Sequence, residues 1–177
     1  MKLVILDRDG VINHDSEQYI KSPEEWKPIP GSLGAIARFT QSGYRVVIAT
    51  NQSGLGRGLF DMAALNAMHD KMHKAVNQVG GRIDAVFFCP HAQDSGCSCR
   101  KPRPGMLREI AERFDVDLTG VAAIGDSLRD LQAANAVGAR PILVLTGKGV
   151  QTLSAGGLPE GTEIHHDLAA AAMALIP

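Results

Sequence analysis

The sequence predicts an α/β fold, with helices on both faces of a mainly parallel sheet. Three observations predict it. Five short apolar runs recur along the chain: "LVILD", "RVVIATN", "AVFFCP", "VAAIGD" and "PILVLTG". They are continuous rather than alternating, as strands buried on both faces should be. Stretches with helical periodicity lie between them, and that alternation is the pattern of parallel strands joined by helical crossovers.

The elements follow in order. The first strand is Leu3 to Asp7 and ends in a carboxylate. A helix over 32–42 comes next, stopped by Gly43, a residue suited to the left-handed position just past a helix end. The second strand is Arg45 to Asn51. The longest helix, 61–79, opens at the N-cap candidate Asp61 and carries Met62, Leu65, Met68, Met72, Val76 and Val79 at helical spacing. This methionine stripe reads as core packing rather than a ligand set. The third strand is Ala85 to Pro90, followed by a helix over 104–114. The fourth strand is Val121 to Asp126, followed by a helix over 128–137. The fifth strand is Pro141 to Gly147. His165 and His166 end a small edge strand, and a helix over 168–175 closes the chain. No repeat, low-complexity tract or linker interrupts this order, so residues 1–177 are expected to form one domain.

Composition excludes several functions. The net charge is −1 and aromatic residues are only 5% of the chain, so neither a nucleic acid nor an anionic membrane is an expected partner. Met1 and Lys2 lead straight into four apolar residues, too few for a secretory leader, and no run approaches a membrane span. A cytoplasmic protein is expected. Its three cysteines are an odd count, which argues against a disulfide framework.

The polar residues are placed with a purpose. Asp7, Thr50, Asn51 and Asp126 all fall at carboxyl ends of strands, the edge at which open α/β sheets bind ligands. Asp9 in "LDRDG" and Asp130 in "GDSLRD" add two more acids. Alone, D-x-D equally describes a solvated turn closed by Gly10, and Asp126 and Asp130 equally describe the first turn of a helix. Together, so many carboxylates on one edge would repel each other without a cation, and all-oxygen ligation suits Mg²⁺.

The order of the motifs, "DRDG", "TNQSG", "RKP" and "GDSLRD", resembles the haloacid dehalogenase superfamily of phosphotransferases, over residues 3–147. The resemblance implies a Rossmann-like three-layer sandwich and assigns roles residue by residue. Asp7 matches the nucleophile that becomes an aspartyl-phosphate, and Asp9 the acid/base. Thr50 matches the residue that hydrogen-bonds the phosphoryl oxygens, beside Asn51. Lys101 matches the cation that neutralises charge on the nucleophile and phosphoryl group. Asp126 matches a Mg²⁺ ligand, together with Asp7 and the backbone carbonyl of Asp9. Asp130 is expected in support, near Lys101 or the metal's waters.

All three cysteines lie in "CPHAQDSGCSCRKPRPG", as C-x-H-x5-C-x-C. Cys89, His91, Cys97 and Cys99 make a complete tetrahedral set for structural Zn²⁺, with no position left for water. A loop this short has no core of its own, so the metal would fold it and fix Arg100 and Lys101 over the catalytic edge.

This loop, joined to "CRKPRPGML" and "TNQSGLGRG", narrows the resemblance to the heptose bisphosphate phosphatases of that superfamily, to which the histidinol-phosphate phosphatase domain is related. The resemblance implies release of the C7 phosphate of D-glycero-D-manno-heptose 1,7-bisphosphate, in the supply of heptose for lipopolysaccharide. Histidinol-phosphate hydrolysis is the alternative. A zinc-stabilised binding protein without catalysis is a third reading, which the intact acids and Lys101 oppose. About forty residues separate Asp9 from Thr50 and about fifty separate Asn51 from Lys101, too few for an inserted cap domain. An open site on a monomer is therefore expected. Substrate contacts fall to Asp15, Tyr19, Asn51, Gln52, Ser53 and Arg57. Ser127 stands where some relatives carry a lysine and is assigned a substrate contact as well. A distal phosphate is assigned to Arg100, ahead of Arg57 and Arg103.

Other signals are weaker. "HDKMH" has an Asp too short for the glutamate role of a zinc protease helix, and no third ligand is evident. "GLGRG" lacks the dinucleotide spacing, and "TGKG" reads as a surface turn.

Overall fold

Each of the five apolar runs forms a strand in the computed structural model, which describes all 177 residues. The strands are β1 (Lys2–Leu6), β2 (Tyr44–Asn51), β3 (Ala85–Cys89), β4 (Ala122–Gly125), β5 (Arg140–Val144) and the short β6 (Glu163–His165). They pair in the order β3-β2-β1-β4-β5-β6, and every pairing is parallel. The helices are α1 (Ser32–Gln41), α2 (Ser53–Gly56), α3 (Met62–Gln78), α4 (Gly105–Phe114), α5 (Leu128–Ala136), α6 (Gly149–Ala155) and α7 (Leu168–Leu175).

Strand residues alternate between two cores, and this makes three layers. Val4, Leu6, Val46 and Ile48 pack with Ile36 and Phe39 of α1, Met68 and Met72 of α3, and Ala171 of α7. Leu3, Ile5, Val47 and Ala49 face the other way, onto Met106 and Ile110 of α4 and Ala133 and Ala134 of α5. The alanines of α5 are small enough to let that helix lie close to the sheet. The methionine stripe of α3 is core from Leu65 to Val76, but its ends depart from expectation. Met62 and Val79 are exposed, because they lie at the two ends of the helix, beyond the reach of the sheet. Asp61 caps α3 as expected, accepting from the backbone N–H of Ala64 at 2.9 Å.

The chain runs outward from β1 to β2 and β3, then returns to β4 on the other side of β1. Connections after β1 and β4 therefore leave in different directions and open a crevice at the carboxyl edge. Asp7 and Asp126 stand at that switch point, one residue beyond their strands.

Three elements lack a sequence signal: a 3-10 turn at Pro23–Glu25, the short α2, and α6. Helix α6 shows why. Val150 and Leu153 are exposed, so it has no apolar stripe. It is tied down instead by Thr152, whose hydroxyl donates to the backbone carbonyl of Asp126 at 2.7 Å. The turn before it also departs from the expected surface turn. Thr146 donates to the carbonyl of Gly10 at 2.7 Å, and Lys148 N–H donates to Asp126 Oδ2 at 2.9 Å. A Cβ on Gly147 would lie 2.3 Å from Asp126 Oδ2, so the glycine permits a backbone approach that no side chain allows. "TGKG" is a clamp on Asp126.

Candidate active site

Three carboxylates meet at the switch point. One oxygen from each of Asp7, Asp126 and Asp130 lies within 4.8 Å of the others. Asp126 and Asp130 are buried and Asp7 is half-buried. Burial, then the charge of Asp130, push Asp7 up to about 7, although Lys101 pulls against them. Burial, then the charges of Asp7 and Asp130, push Asp126 up to about 8. Burial would also raise Asp130, but Lys101 outweighs it and holds that carboxyl below its ordinary value. Two acids that resist ionisation beside a third that is ionised form a site deficient in positive charge. The hard oxygen donor set fits a Mg²⁺-type dication.

Lys101 is the one buried cation among them. Its Nζ donates to Asp130 Oδ1 at 2.7 Å and to the carbonyl of Ala49 at 2.7 Å, and lies 3.4 Å from Asp7 Oδ1. Burial would lower its pKa, but Asp130 and Asp7 raise it, so it stays charged. Its backbone is held just as firmly. Lys101 N–H donates to Asn51 Oδ1 at 3.0 Å, and Asn51 Nδ2 donates back to the Lys101 carbonyl at 3.2 Å. Asp7 Oδ1 also accepts from the backbone N–H of Arg8 at 2.8 Å, while no hydrogen bond reaches its Oδ2. One oxygen is thus anchored and the other is open for chemistry.

Above these groups lies a cleft of about 150 Å³, walled mainly by polar side chains. Asp15, Tyr19, Thr50, Asn51, Gln52, Ser53 and Arg100 line it, as the sequence predicts. Arg129, Lys148 and Gln93 line it too, and sequence reasoning missed them. Arg129 is in "GDSLRD" and Lys148 in "TGKG", so each carried a signal that was given to a neighbour or to a turn. Two predicted residues lie elsewhere. Ser127 turns away from the cleft, and its hydroxyl donates to Asp130 Oδ2 at 2.9 Å at the start of α5. Arg57 is exposed behind the wall. It donates to Gln93 Oε1 at 3.0 Å and lies 6.0 Å from the Tyr19 ring, so it props the wall instead of facing the cleft.

The cysteine cluster forms as its spacing predicts. The separations are 3.6 Å from Cys89 Sγ to Cys97 Sγ, 3.4 Å from Cys89 Sγ to His91 Nδ1, and 3.2 Å from His91 Nδ1 to Cys99 Sγ. A tetrahedral zinc with ordinary bond lengths has S···S edges of about 3.8 Å and S···N edges of about 3.5 Å. All three cysteines are free thiols, and at 3.6 Å the Cys89 and Cys97 sulfurs are too distant for a disulfide. Burial, then hydrogen bonds from the other two thiols, push Cys99 up to about 12. Burial also opposes ionisation of Cys97, but Ser95, the Arg100 backbone and the neighbouring thiols bring it down to about 6. Three thiolates cannot share this space without a cation. Two glycines let backbone close around the loop. A Cβ on Gly56 would meet the Pro90 carbonyl at 2.6 Å, and one on Gly105 would meet the Ser98 carbonyl at 2.2 Å.

Comparison with known proteins decides the family. A family model described as polynucleotide kinase 3 phosphatase matches residues 2–129, and one described as HAD-hydrolase-like matches 98–171. D-glycero-β-D-manno-heptose-1,7-bisphosphate 7-phosphatase of Bordetella bronchiseptica is 65% identical over 99% of this chain and 98% of its own length. The enzyme of the same name from Pseudomonas aeruginosa is 56% identical over 98% of this chain and 97% of its own. The chain belongs to the heptose bisphosphate phosphatases of the haloacid dehalogenase superfamily. A crystal structure of the B. bronchiseptica D,D-heptose 1,7-bisphosphate phosphatase, complexed with magnesium and phosphate, superposes with a TM-score of 0.98. It covers 99% of this chain and 98% of that one. In this heptose bisphosphate phosphatase no inserted cap domain covers the cleft, which lies directly at the carboxyl edge of the sheet.

Two outcomes are expected. Without a cation, the native state keeps protons on Asp7 and Asp126 that unfolded carboxylates have already lost. Raising the pH from about 4 to about 8 therefore costs native stability through these groups. A bound dication keeps both ionised and removes that cost. The rise in Tm on adding Mg²⁺ should thus be larger near about pH 8 than near about pH 5, and Asp126→Asn should remove most of the difference. An equal rise at both pH values would show that the cation binds elsewhere.

Cys97→Ala should empty the cysteine cluster of metal by elemental analysis and expose residues 91–100 to protease. The local cost should be several kcal/mol, a fraction of the roughly 10–16 kcal/mol that structural zinc contributes to small zinc modules. Since Lys101 follows Cys99 by two residues, kcat/KM should fall by up to about 10²-fold while the sheet stays folded by circular dichroism. A metal-free variant with full activity would show that the loop does not position Lys101.

Proposed function

We propose that this chain hydrolyses the C7 phosphate of D-glycero-β-D-manno-heptose 1,7-bisphosphate. The observation that carries the reading is the pairing of two anion-binding points in one cleft. Asp7 and Lys101 lie at its floor, and Arg100 and Arg129 lie on its wall. Arg100 Nη1 is buried with no hydrogen-bond partner, and the charge of Arg129 adds to the burial that lowers the Arg100 pKa. Two unneutralised guanidiniums in one wall suit a second phosphate. The names of the relatives support the same substrate and its β-anomer, which the sequence alone left open. Histidinol phosphate has no second phosphate for that wall. The segment 1–177 would act as one monomeric phosphatase domain on a small phosphosugar in the cytoplasm.

In the proposed mechanism, a carboxylate oxygen of Asp7 attacks the C7 phosphorus as the bond to the C7 oxygen breaks. Asp9 gives its proton to the departing alkoxide. Thr50 and the open amides at the start of α2 hold the phosphoryl oxygens, and Lys101 offsets charge on Asp7 and the phosphoryl group. Asp9 then takes a proton from the water that attacks the aspartyl-phosphate, which restores the Asp7 carboxylate and frees phosphate. Mg²⁺ held by Asp7, Asp126 and the Asp9 backbone carbonyl would supply charge neutralisation between carboxylate and phosphate. Zn²⁺ at Cys89, His91, Cys97 and Cys99 would supply architecture.

The test compares kcat/KM for heptose 1,7-bisphosphate with that for histidinol phosphate. A preference of at least about 10²-fold for the bisphosphate is expected, since charge-assisted contacts to a second phosphate are worth roughly 1.5–3 kcal/mol each. Arg100→Ala should lose most of that preference, chiefly in KM. Asp7→Asn should abolish turnover of both substrates and still bind them. Equal turnover of the two substrates by the wild type would overturn the assignment.

A further inference from the structure

Arg8 lies between the nucleophile and the acid/base, and its side chain is fully buried. A buried guanidinium is costly unless its donors are matched. Here Nε and Nη2 both reach Asp9 Oδ1, at 2.9 and 2.8 Å. Asn13 Nδ2 donates to the same oxygen at 2.9 Å. Asp9 Oδ1 therefore accepts two hydrogen bonds, from Arg8 Nε and Asn13 Nδ2, and is ion-paired with Arg8 Nη2 as well. Oδ2 receives only Gln52 Nε2, at 3.2 Å. A carboxyl whose one oxygen is saturated must carry its mobile proton on the other.

The guanidinium is held from behind. Its Nη1 lies 3.1 Å from Nε2 of His69, a buried residue in the middle of α3. An arginine can only donate, so His69 Nε2 accepts, and the imidazole is neutral with its proton on Nδ1. Burial, then the Arg8 charge, hold His69 at about 4, in keeping with that state. A leucine would fill this space at lower desolvation cost, yet the chain places an acceptor there.

We propose that His69 and Arg8 are positioning residues for the acid/base: His69 fixes the Arg8 fork, the fork saturates Asp9 Oδ1, and Asp9 Oδ2 is thereby left as the atom that exchanges the proton. The proposal rests on the roles given to Asp7 and Asp9 above. It adds a residue from α3, outside the motifs of the carboxyl edge.

The test uses two substrates that differ in how much they need that proton. An alkyl phosphate such as heptose bisphosphate loses a basic alkoxide, whereas p-nitrophenyl phosphate loses a phenolate stable without protonation. kcat/KM reports only events through transfer to Asp7, so a shared hydrolysis step cannot mask the contrast. His69→Leu should lose about 10–100-fold in kcat/KM on the alkyl phosphate and less than about threefold on the aryl one. His69→Gln, whose side-chain oxygen can stand where Nε2 stood, should recover most of the loss. Arg8→Lys, which keeps charge but not the fork, should show the same contrast as His69→Leu and serves if His69→Leu does not fold. Equal losses on both substrates, or a wild-type ratio in both His69→Leu and Arg8→Lys, would overturn the proposal. Asp9→Asn separates the two levels: if it shows no leaving-group contrast, the acid role itself fails. If the wild type leaves heptose bisphosphate untouched, the substrate assignment falls and the contrast is read on the alkyl phosphate that it does hydrolyse.

Discussion

One buried ammonium holds the catalytic edge together. Lys101 Nζ bonds to Asp130 Oδ1 and to the Ala49 carbonyl and lies beside Asp7. Without it, three carboxylates within 4.8 Å would repel each other in a buried crevice. Removing one partner of such a buried pair typically costs about 3–5 kcal/mol, because the other charge is left uncompensated. Much of the surrounding architecture serves to place this one group. Asn51 brackets its backbone from the end of β2. Asp130 uses its second oxygen to accept from Asp126 N–H, Ser127 N–H and the Ser127 hydroxyl at the start of α5. The lysine thus ties β2, β4, α5 and the cysteine loop to one point.

The cysteine loop is best understood as a consequence of that demand. Lys101 must reach the switch point from a segment that belongs to no strand. A loop of that kind is ordinarily mobile and would place a charged terminus poorly. Cys89 is the last residue of β3, so one ligand is already fixed by the sheet. A metal held by this cluster would draw the other three ligands, and the loop with them, back against that fixed point. A metal site there would do for Lys101 what a strand end does for Asp7, Thr50 and Asp126.

Much of this was legible in the sequence, for a physical reason. Strands buried on both faces leave unbroken apolar runs, and "LVIL" followed by aspartate announces both the strand and its reactive end. Four soft ligands within eleven residues announce a cluster able to hold a metal, whatever the fold. What escaped was set by tertiary contact alone. Helix α6 has no stripe to read, because Thr152 holds it through the Asp126 carbonyl. Ser127 has the right position for a substrate contact and the wrong orientation, because Asp130 needs its hydroxyl. Arg57 looked like a cation for the cleft, but Gln93 and Tyr19 occupy it. Residue type and place in a motif do not reveal which of two polar neighbours wins a side chain.

His69 shows the same limit from the opposite side. In sequence it belongs to "HDKMH", a pattern that suggests a metal and fails on ligand chemistry. The helix itself is accounted for by Leu65, Met68, Met72 and Val76, all buried in the core. A histidine on that buried face has no reason in packing alone. Its reason becomes visible only when β1 ends beside α3, and the fully buried Arg8 needs an acceptor for its remaining nitrogen. The "DRD" motif therefore carries more than two acids and a spacer. The middle residue reaches inward to the helical layer while its neighbours reach outward to the cleft, and the orientation of one depends on the anchorage of the other.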